Sequence, residues 1–230
     1  MTAPVVRDTG VEQRRLGQLV AAQVPPVGPG EFERWAPAAA ELVQRGGRAS
    51  STLAAREYSA LRTAAAVTGR FSPVLAPPAP LEQISKSLRW ATFAPGEADL
   101  DTRVQGVVQK MVMDPGRFTI ADTVAADPKA VTYARVPAPG ACGFCALLST
   151  RGSVFASAQT ALKTGTSDRS YHGGCRCTAR PVFTGETYVP PAHVMDAEQV
   201  YIDSTGGVTG KAKLSEFRKA WRRRSTSLTS

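Results

Sequence analysis

Histidine, cysteine and long apolar runs are all scarce in this sequence of 230 residues. No apolar stretch approaches the roughly 20 residues that a membrane-spanning helix needs, so we expect no membrane insertion. Residues 1–11 lack the apolar core of a secretory signal peptide. Without export the cysteines are expected to stay reduced, which favours metal binding over disulfide formation.

Acidic residues are also in the minority. The chain has 28 lysines and arginines against 19 aspartates and glutamates, a net charge of +9. A basic balance of this size indicates a polyanionic partner, either nucleic acid or an acidic protein surface. The alternative is that the basic C-terminal run is only a solvated, partly disordered end. The candidate nucleic-acid or partner-binding residues are Lys211, Lys213, Arg218, Lys219, Arg222, Arg223 and Arg224, opposed there only by Glu216.

The first half of the chain has apolar residues at helical spacing, separated by glycine and proline. We expect one helix to stop at Gly46-Gly47 and the clearest one to end before Pro115-Gly116, with a shorter helix over residues 119–126. The apolar positions that define the predicted helices are Leu16, Leu19 and Val20; Phe32, Trp35, Ala39 and Leu42; Leu53, Tyr58, Leu61 and Ala65; Leu81, Ile84 and Leu88; and Leu100, Val104, Val107, Val108 and Met111.

The second half is of mixed character, and the whole chain is predicted to be α+β. Residues 131–136 and 180–183 are expected to be strands, one before and one after the cysteines. The predicted division is a helical domain at residues 1–120, a small zinc-stabilised α+β domain at 121–195, and a basic tail at 196–230. The tail contains a short amphipathic helix with the apolar stripe Leu214, Phe217 and Trp221.

All four cysteines and one of the two histidines fall in two short clusters. The first is Cys142-Gly143-Phe144-Cys145 and the second runs from His172 to Cys177. Thiolates and imidazoles bind zinc tetrahedrally, and structural sites usually draw four ligands from two such knuckles. The candidate metal ligands are Cys142, Cys145, His172, Cys175 and Cys177.

Five candidates compete for four positions. We expect the four cysteines to bind a structural Zn²⁺, with His172 either replacing one of them or hydrogen-bonding a ligand. Arg176 lies between two of the thiolates and is expected to offset their negative charge. Two disulfides, buried free thiols and a redox-active Cys-x-x-Cys pair are the alternatives. The sequence contains neither His-Glu-x-x-His nor the deaminase pattern, which favours a closed site over a catalytic one.

The cysteine blocks resemble those of the phage Mu F-like head morphogenesis proteins. The similarity is carried by residues 140–148, by His172-Gly173-Gly174-Cys175-Arg176-Cys177-Thr178 and by Pro181-Val182. It covers roughly residues 115–185 and is closest to the form found in tailed phages of actinobacteria. The chain departs from the family at Gly173, where proline is common.

This resemblance implies a minor capsid protein, present in few copies in the interior of the virion head and in the host cytoplasm during assembly. It further implies association with the portal and capsid proteins in head morphogenesis, and a role in genome packaging or delivery. Genomic DNA, bound without sequence preference, is a further implied partner.

Two enzymatic functions are alternatives to a non-enzymatic structural role. A capsid maturation protease would need a nucleophile, a base and a carboxylate together, and Ser170, His172, His193 and Asp196 are the nearest candidates. No Gly-x-Ser-x-Gly elbow is present. A zinc-stabilised nuclease would need one of the histidines beside a second, catalytic metal. We expect neither activity.

Overall fold

Helices make up most of the fold, and a two-stranded sheet follows the fourth of them. The computed structural model describes residues 10–95, 98–153, 171–172 and 174–227. The elements are α1 (Val11–Ala22), α2 (Phe32–Ala64), α3 (Leu81–Phe93), α4 (Leu100–Ala126), β1 (Ala130–Val136), α5 (Gly143–Ser149), β2 (Thr178–Phe183), α6 (Ala192–Thr205) and α7 (Lys211–Ser227).

Helix α2 continues through Gly46-Gly47, so the prediction of a break there was wrong. The helix is 33 residues long. The two glycines are buried, and a Cβ atom at Gly46 would lie 3.0 Å from a methyl group of Val112 on α4. Glycine costs about 1 kcal/mol of helix propensity relative to alanine. Here it allows the two longest helices to approach closely, and their packing outweighs that local cost.

Helix α4 likewise continues through Pro115, which corrects the two separate helices predicted around it. It begins at the N-cap Asp99, whose carboxylate accepts a hydrogen bond from the Thr102 backbone N–H at 2.7 Å. Proline inside a helix removes one backbone hydrogen bond. Fully buried residues on both sides of it, Val112 and Ile120 among them, keep the helix in one piece.

Strands β1 and β2 pair antiparallel, and with the helices they confirm the predicted α+β fold. The sheet packs on α2 and α4, and the rings of Tyr58 and Phe183 meet edge to face with centroids 5.4 Å apart. One apolar core contains Tyr58 of α2 and Ile120 of α4 together with Cys145 and Cys175. The predicted boundary at residue 120 therefore falls inside a helix and within a shared core.

The C-terminal segment forms two helices that pack against each other, α6 and α7, and the basic side chains of Lys211 and Arg218 on α7 are exposed. Phe217 and Trp221 are buried in a small core with Ala146 and Ala197, and the Trp221 indole N–H donates to the Ala141 carbonyl at 2.9 Å. Two of the three residues in the apolar stripe of α7, Phe217 and Trp221, thus pack inside the protein. No helix in the described ranges is both long and apolar enough to cross a membrane.

Candidate metal centre

The antiparallel strands bring the two cysteine clusters together. Strand β1 ends at Val136, which pairs with Thr178 at the start of β2. The first cluster follows β1 and the second immediately precedes β2, so both lie at the same end of the sheet. Gly140 and Gly174 have positive φ angles of 70° and 69°, a backbone conformation that favours glycine.

All five predicted ligand atoms come together at this end of the sheet. The His172 Nε2 atom lies 3.2 Å from the Cys142 Sγ atom and 3.1 Å from the Cys145 Sγ atom. The Sγ atoms of Cys145 and Cys175 are 3.5 Å apart. With zinc bonds of about 2.0–2.3 Å, neighbouring ligand atoms of a tetrahedral site lie roughly 3.3–3.8 Å apart. The observed distances of 3.1–3.5 Å are at or slightly below this range, so the donors are close enough together to share one ion.

The donors form two overlapping groups that share Cys145. The ligand atoms of one group, Cys142, Cys145 and His172, all lie within 4.8 Å of one another, and so do those of Cys145, Cys175 and Cys177. All four cysteines are free thiols, so the disulfide alternative is absent from this structure. Cys145, Cys175 and Cys177 are buried, whereas Cys142 and His172 are exposed. A single ion would take the three buried thiolates and complete its shell from the exposed pair.

Hydrogen bonds within the cluster favour the thiolate form at two positions. Contacts with Cys145 and His172 lower the pKa of Cys142 to about 4. Contacts with Cys145 and Cys177 lower the pKa of Cys175 below its ordinary value. The thiolate is the form that binds metal ions. Hydrogen bonds with Cys142 and Cys175 raise the pKa of Cys145.

Arg117, which the sequence analysis did not identify as a site residue, supports the second cluster from helix α4. Its Nε atom donates to the Cys177 carbonyl at 2.8 Å and its Nη2 atom to the Cys175 carbonyl at 2.5 Å. Its Nη1 atom donates to the Asp114 carboxylate at 2.7 Å, and Lys110 pairs with the same carboxylate. Arg117 thus links the helix to the backbone of two metal-ligand candidates.

A second buried arginine, Arg135 on β1, also lies over the Tyr171 ring. The guanidinium carbons of Arg117 and Arg135 are 4.1 and 4.2 Å from the centre of the tyrosine ring. Both arginines are only 1% exposed. Burial lowers the pKa of Arg135, but the neighbouring Tyr171, Cys177 and Cys175 groups raise it above its ordinary value overall.

These two arginines supply the positive charge that was expected from Arg176. A zinc ion bound by four thiolates carries two excess negative charges, which need compensation when buried. Arg176 itself is exposed, whereas Cys175 and Cys177 on either side of it are buried. Arg117 and Cys177 are 60 positions apart, so no local spacing reveals their contact.

The other predicted site residues do not join the cysteine cluster, and those with contacts are bonded to other groups. The His193 Nε2 atom donates to the Pro137 carbonyl at 2.8 Å, and Asp196 accepts hydrogen bonds from Arg224. Lys219 pairs with Glu216 at 2.8 Å.

Residues 154–170, which include Ser170, and Gly173 lie outside the described residues. The basic residues of α7 that line a groove are Lys211, Arg218, Lys219 and Arg222, while Lys213 and Arg223 do not line it.

Comparison with known proteins returns one family. A family model described as VG15 protein matches residues 13–204, a range that includes all five metal-ligand candidates. No curated protein and no solved structure matches the chain significantly. The match supports the phage part of the resemblance stated above, while the Mu F-like type stays a prediction.

Proposed function

The chain belongs to the VG15 family of phage proteins, and on that premise we propose that it is a minor, non-enzymatic protein of the phage head. It acts with the portal and capsid proteins during head assembly. Its cysteine cluster holds a structural zinc ion that fixes the surface presented to those partners.

The convergence of the five donors is the observation that carries the zinc proposal. The metal would join α5 to the segment before β2, two parts of the chain that are 30 positions apart at Cys145 and Cys175. Three thiols are already buried, and two arginines compensate their charge. Thiolate sulfur with imidazole nitrogen is the donor set that zinc prefers in closed structural sites.

The contacts of His193 and Asp196 weigh against the protease alternative. A catalytic histidine needs one ring nitrogen on the nucleophile and the other on a carboxylate. The His193 Nε2 atom is instead bonded to a backbone carbonyl, and Asp196 is bonded to Arg224 at 2.8 Å. The other histidine, His172, contacts two thiols of the cluster.

Metal content tests the zinc part of the proposal. Elemental mass spectrometry of the purified protein should find about one zinc per chain, with thiols that react only after chelation. Substitution of Cys145, the donor shared by both groups, should abolish the bound zinc. Protein without metal and without free thiols would mean disulfides, and the zinc proposal would be withdrawn.

The head assignment is tested separately on phage particles. Mass spectrometry of purified, nuclease-treated virions should detect this chain in low copy number, and it should co-purify with the portal when both are expressed together. Its absence from virions would contradict the proposal. A His193→Ala phage should still assemble normal heads, whereas a protease or nuclease that depends on this histidine would lose activity.

A further inference from the structure

A groove with basic walls lies between helix α7 and the first cysteine cluster. One part, of about 620 Å³, is lined by residues 140–144 together with Arg218, Trp221 and Arg222. A second part, of about 390 Å³, runs along α7. Arg218 and Arg222 line both parts, and Lys211 at the start of the helix lines the second.

Three cationic side chains form a row along helix α7. Lys211, Arg218 and Arg222 are seven and four residues apart, which places them on one face of the helix. At 1.5 Å per residue, the row is about 16 Å long. The buried Phe217 and the hydrogen bond from Trp221 to the Ala141 carbonyl fix this face relative to the cysteine cluster.

Negative charge is nearly absent from the groove walls. Among the described lining residues none is acidic, and across the described ranges no carboxylate is within ion-pair distance of Lys211 or Arg218. The groove is therefore complementary to an extended anion.

We propose that this groove binds the phosphate backbone of double-stranded DNA without sequence preference. Each strand of a duplex carries a phosphate about every 3.4 Å along the axis, so the row spans roughly five phosphates of one strand. Arginine forms bidentate hydrogen bonds with phosphate. The proposed function supplies the reason that DNA is the occupant, since a protein of the phage head meets packed DNA.

The arrangement also divides the seven basic residues of α7 into two classes. Lys211 and Arg218 line the groove, whereas Lys213 and Arg223 lie elsewhere on the same helix. Binding that depended only on net charge would use both classes equally. Binding in the groove requires the first class.

This difference gives a matched test. Binding of a short fluorescein-labelled DNA duplex of random sequence is measured by fluorescence anisotropy over a range of salt concentrations. The double variant Lys211→Glu/Arg218→Glu is compared with Lys213→Glu/Arg223→Glu, which has the same change in net charge. We expect the first variant to lose about two units from the slope of log affinity against log salt, and the second to keep the wild-type slope.

Three outcomes would overturn the proposal: no binding by the wild type at low salt, equal weakening in the two variants, or displacement of the duplex by polyglutamate at an equal concentration of charge. The last result would indicate an acidic protein partner. Circular dichroism and zinc content verify the fold of both variants, and the corresponding glutamine variants replace them if either is unfolded. If this DNA-binding test fails, the zinc content and the presence of the chain in virions still test the proposed function independently.

Discussion

Replacement of Arg117 by methionine tests whether the candidate metal centre depends on helix α4. Methionine keeps much of the side-chain volume but removes the charge and all the donors. The Cys175 and Cys177 carbonyls each lose a charged hydrogen bond, and Tyr171 loses the guanidinium that stacks on its ring. Asp114 loses one partner and retains Lys110.

The magnitude follows from the number of these contacts. A hydrogen bond to a charged group contributes about 1.5–3 kcal/mol, and contributions from one side chain do not add fully. Removal of one partner of a buried ion pair typically costs about 3–5 kcal/mol. Since Asp114 is still paired, we expect Arg117→Met to lower the free energy of unfolding by about 3–4 kcal/mol.

Urea unfolding of the zinc-loaded protein, followed by circular dichroism, measures this loss. Arg176→Met is the control, because Arg176 lies between the same two cysteines but is exposed. It should change stability by about 0.5 kcal/mol or less. If Arg117→Met costs less than about 1 kcal/mol, or no more than the control, the contacts from α4 do not stabilise the metal centre.

Three further predictions concern single positions. Gly116→Ala should lower the Tm, because the new Cβ atom would lie 2.5 Å from the Ser50 Oγ atom and 3.0 Å from the Ser50 carbonyl oxygen. This clash should outweigh the helix propensity of alanine, which favours the variant by about 1 kcal/mol. A higher Tm would refute this. Burial raises the pKa of Asp127, but hydrogen bonds from the Lys129 N–H, Arg62 and Tyr58 hold it below its ordinary value. The Asp127 carboxylate therefore stabilises the folded protein above about pH 4, and this stabilisation is lost as the pH falls through its lower folded-state pKa. Denaturant unfolding should find Asp127→Asn less stable than the wild type at neutral pH, and the difference should disappear in acid. Cys145→Ser should unfold the metal-containing half, because zinc contributes on the order of 10 kcal/mol in small zinc peptides; unchanged protease resistance would argue against a structural ion.

The ligand candidates could be predicted because their signal is local. Paired cysteines within three or four residues can reach one ion through a single turn, whatever the rest of the fold does. The strand positions could also be predicted, because alternating side chains are a local signal. The structure extends the first strand by one residue to Ala130 and the second by two to Thr178.

The continuity of the long helices could not be predicted from the same kind of signal. Gly46-Gly47 and Pro115-Gly116 are local breakers, and each was interpreted as the end of a helix. In the structure, α2 and α4 pack against each other at these positions. Gly116 can approach Ser50 closely because it has no Cβ atom. Packing between distant segments overrides local propensity here, and it becomes visible only when both helices are placed.

The two buried arginines show how the helices and the metal centre depend on each other. Arg117 belongs to α4, yet two of its hydrogen-bond acceptors are the backbone carbonyls of metal-ligand candidates. Arg135 belongs to the sheet, and both guanidinium groups lie over the Tyr171 ring. A thiolate cluster in this position would be costly without both charges. The proposed zinc centre therefore lies at the junction at which the second half of the chain is attached to the helical first half.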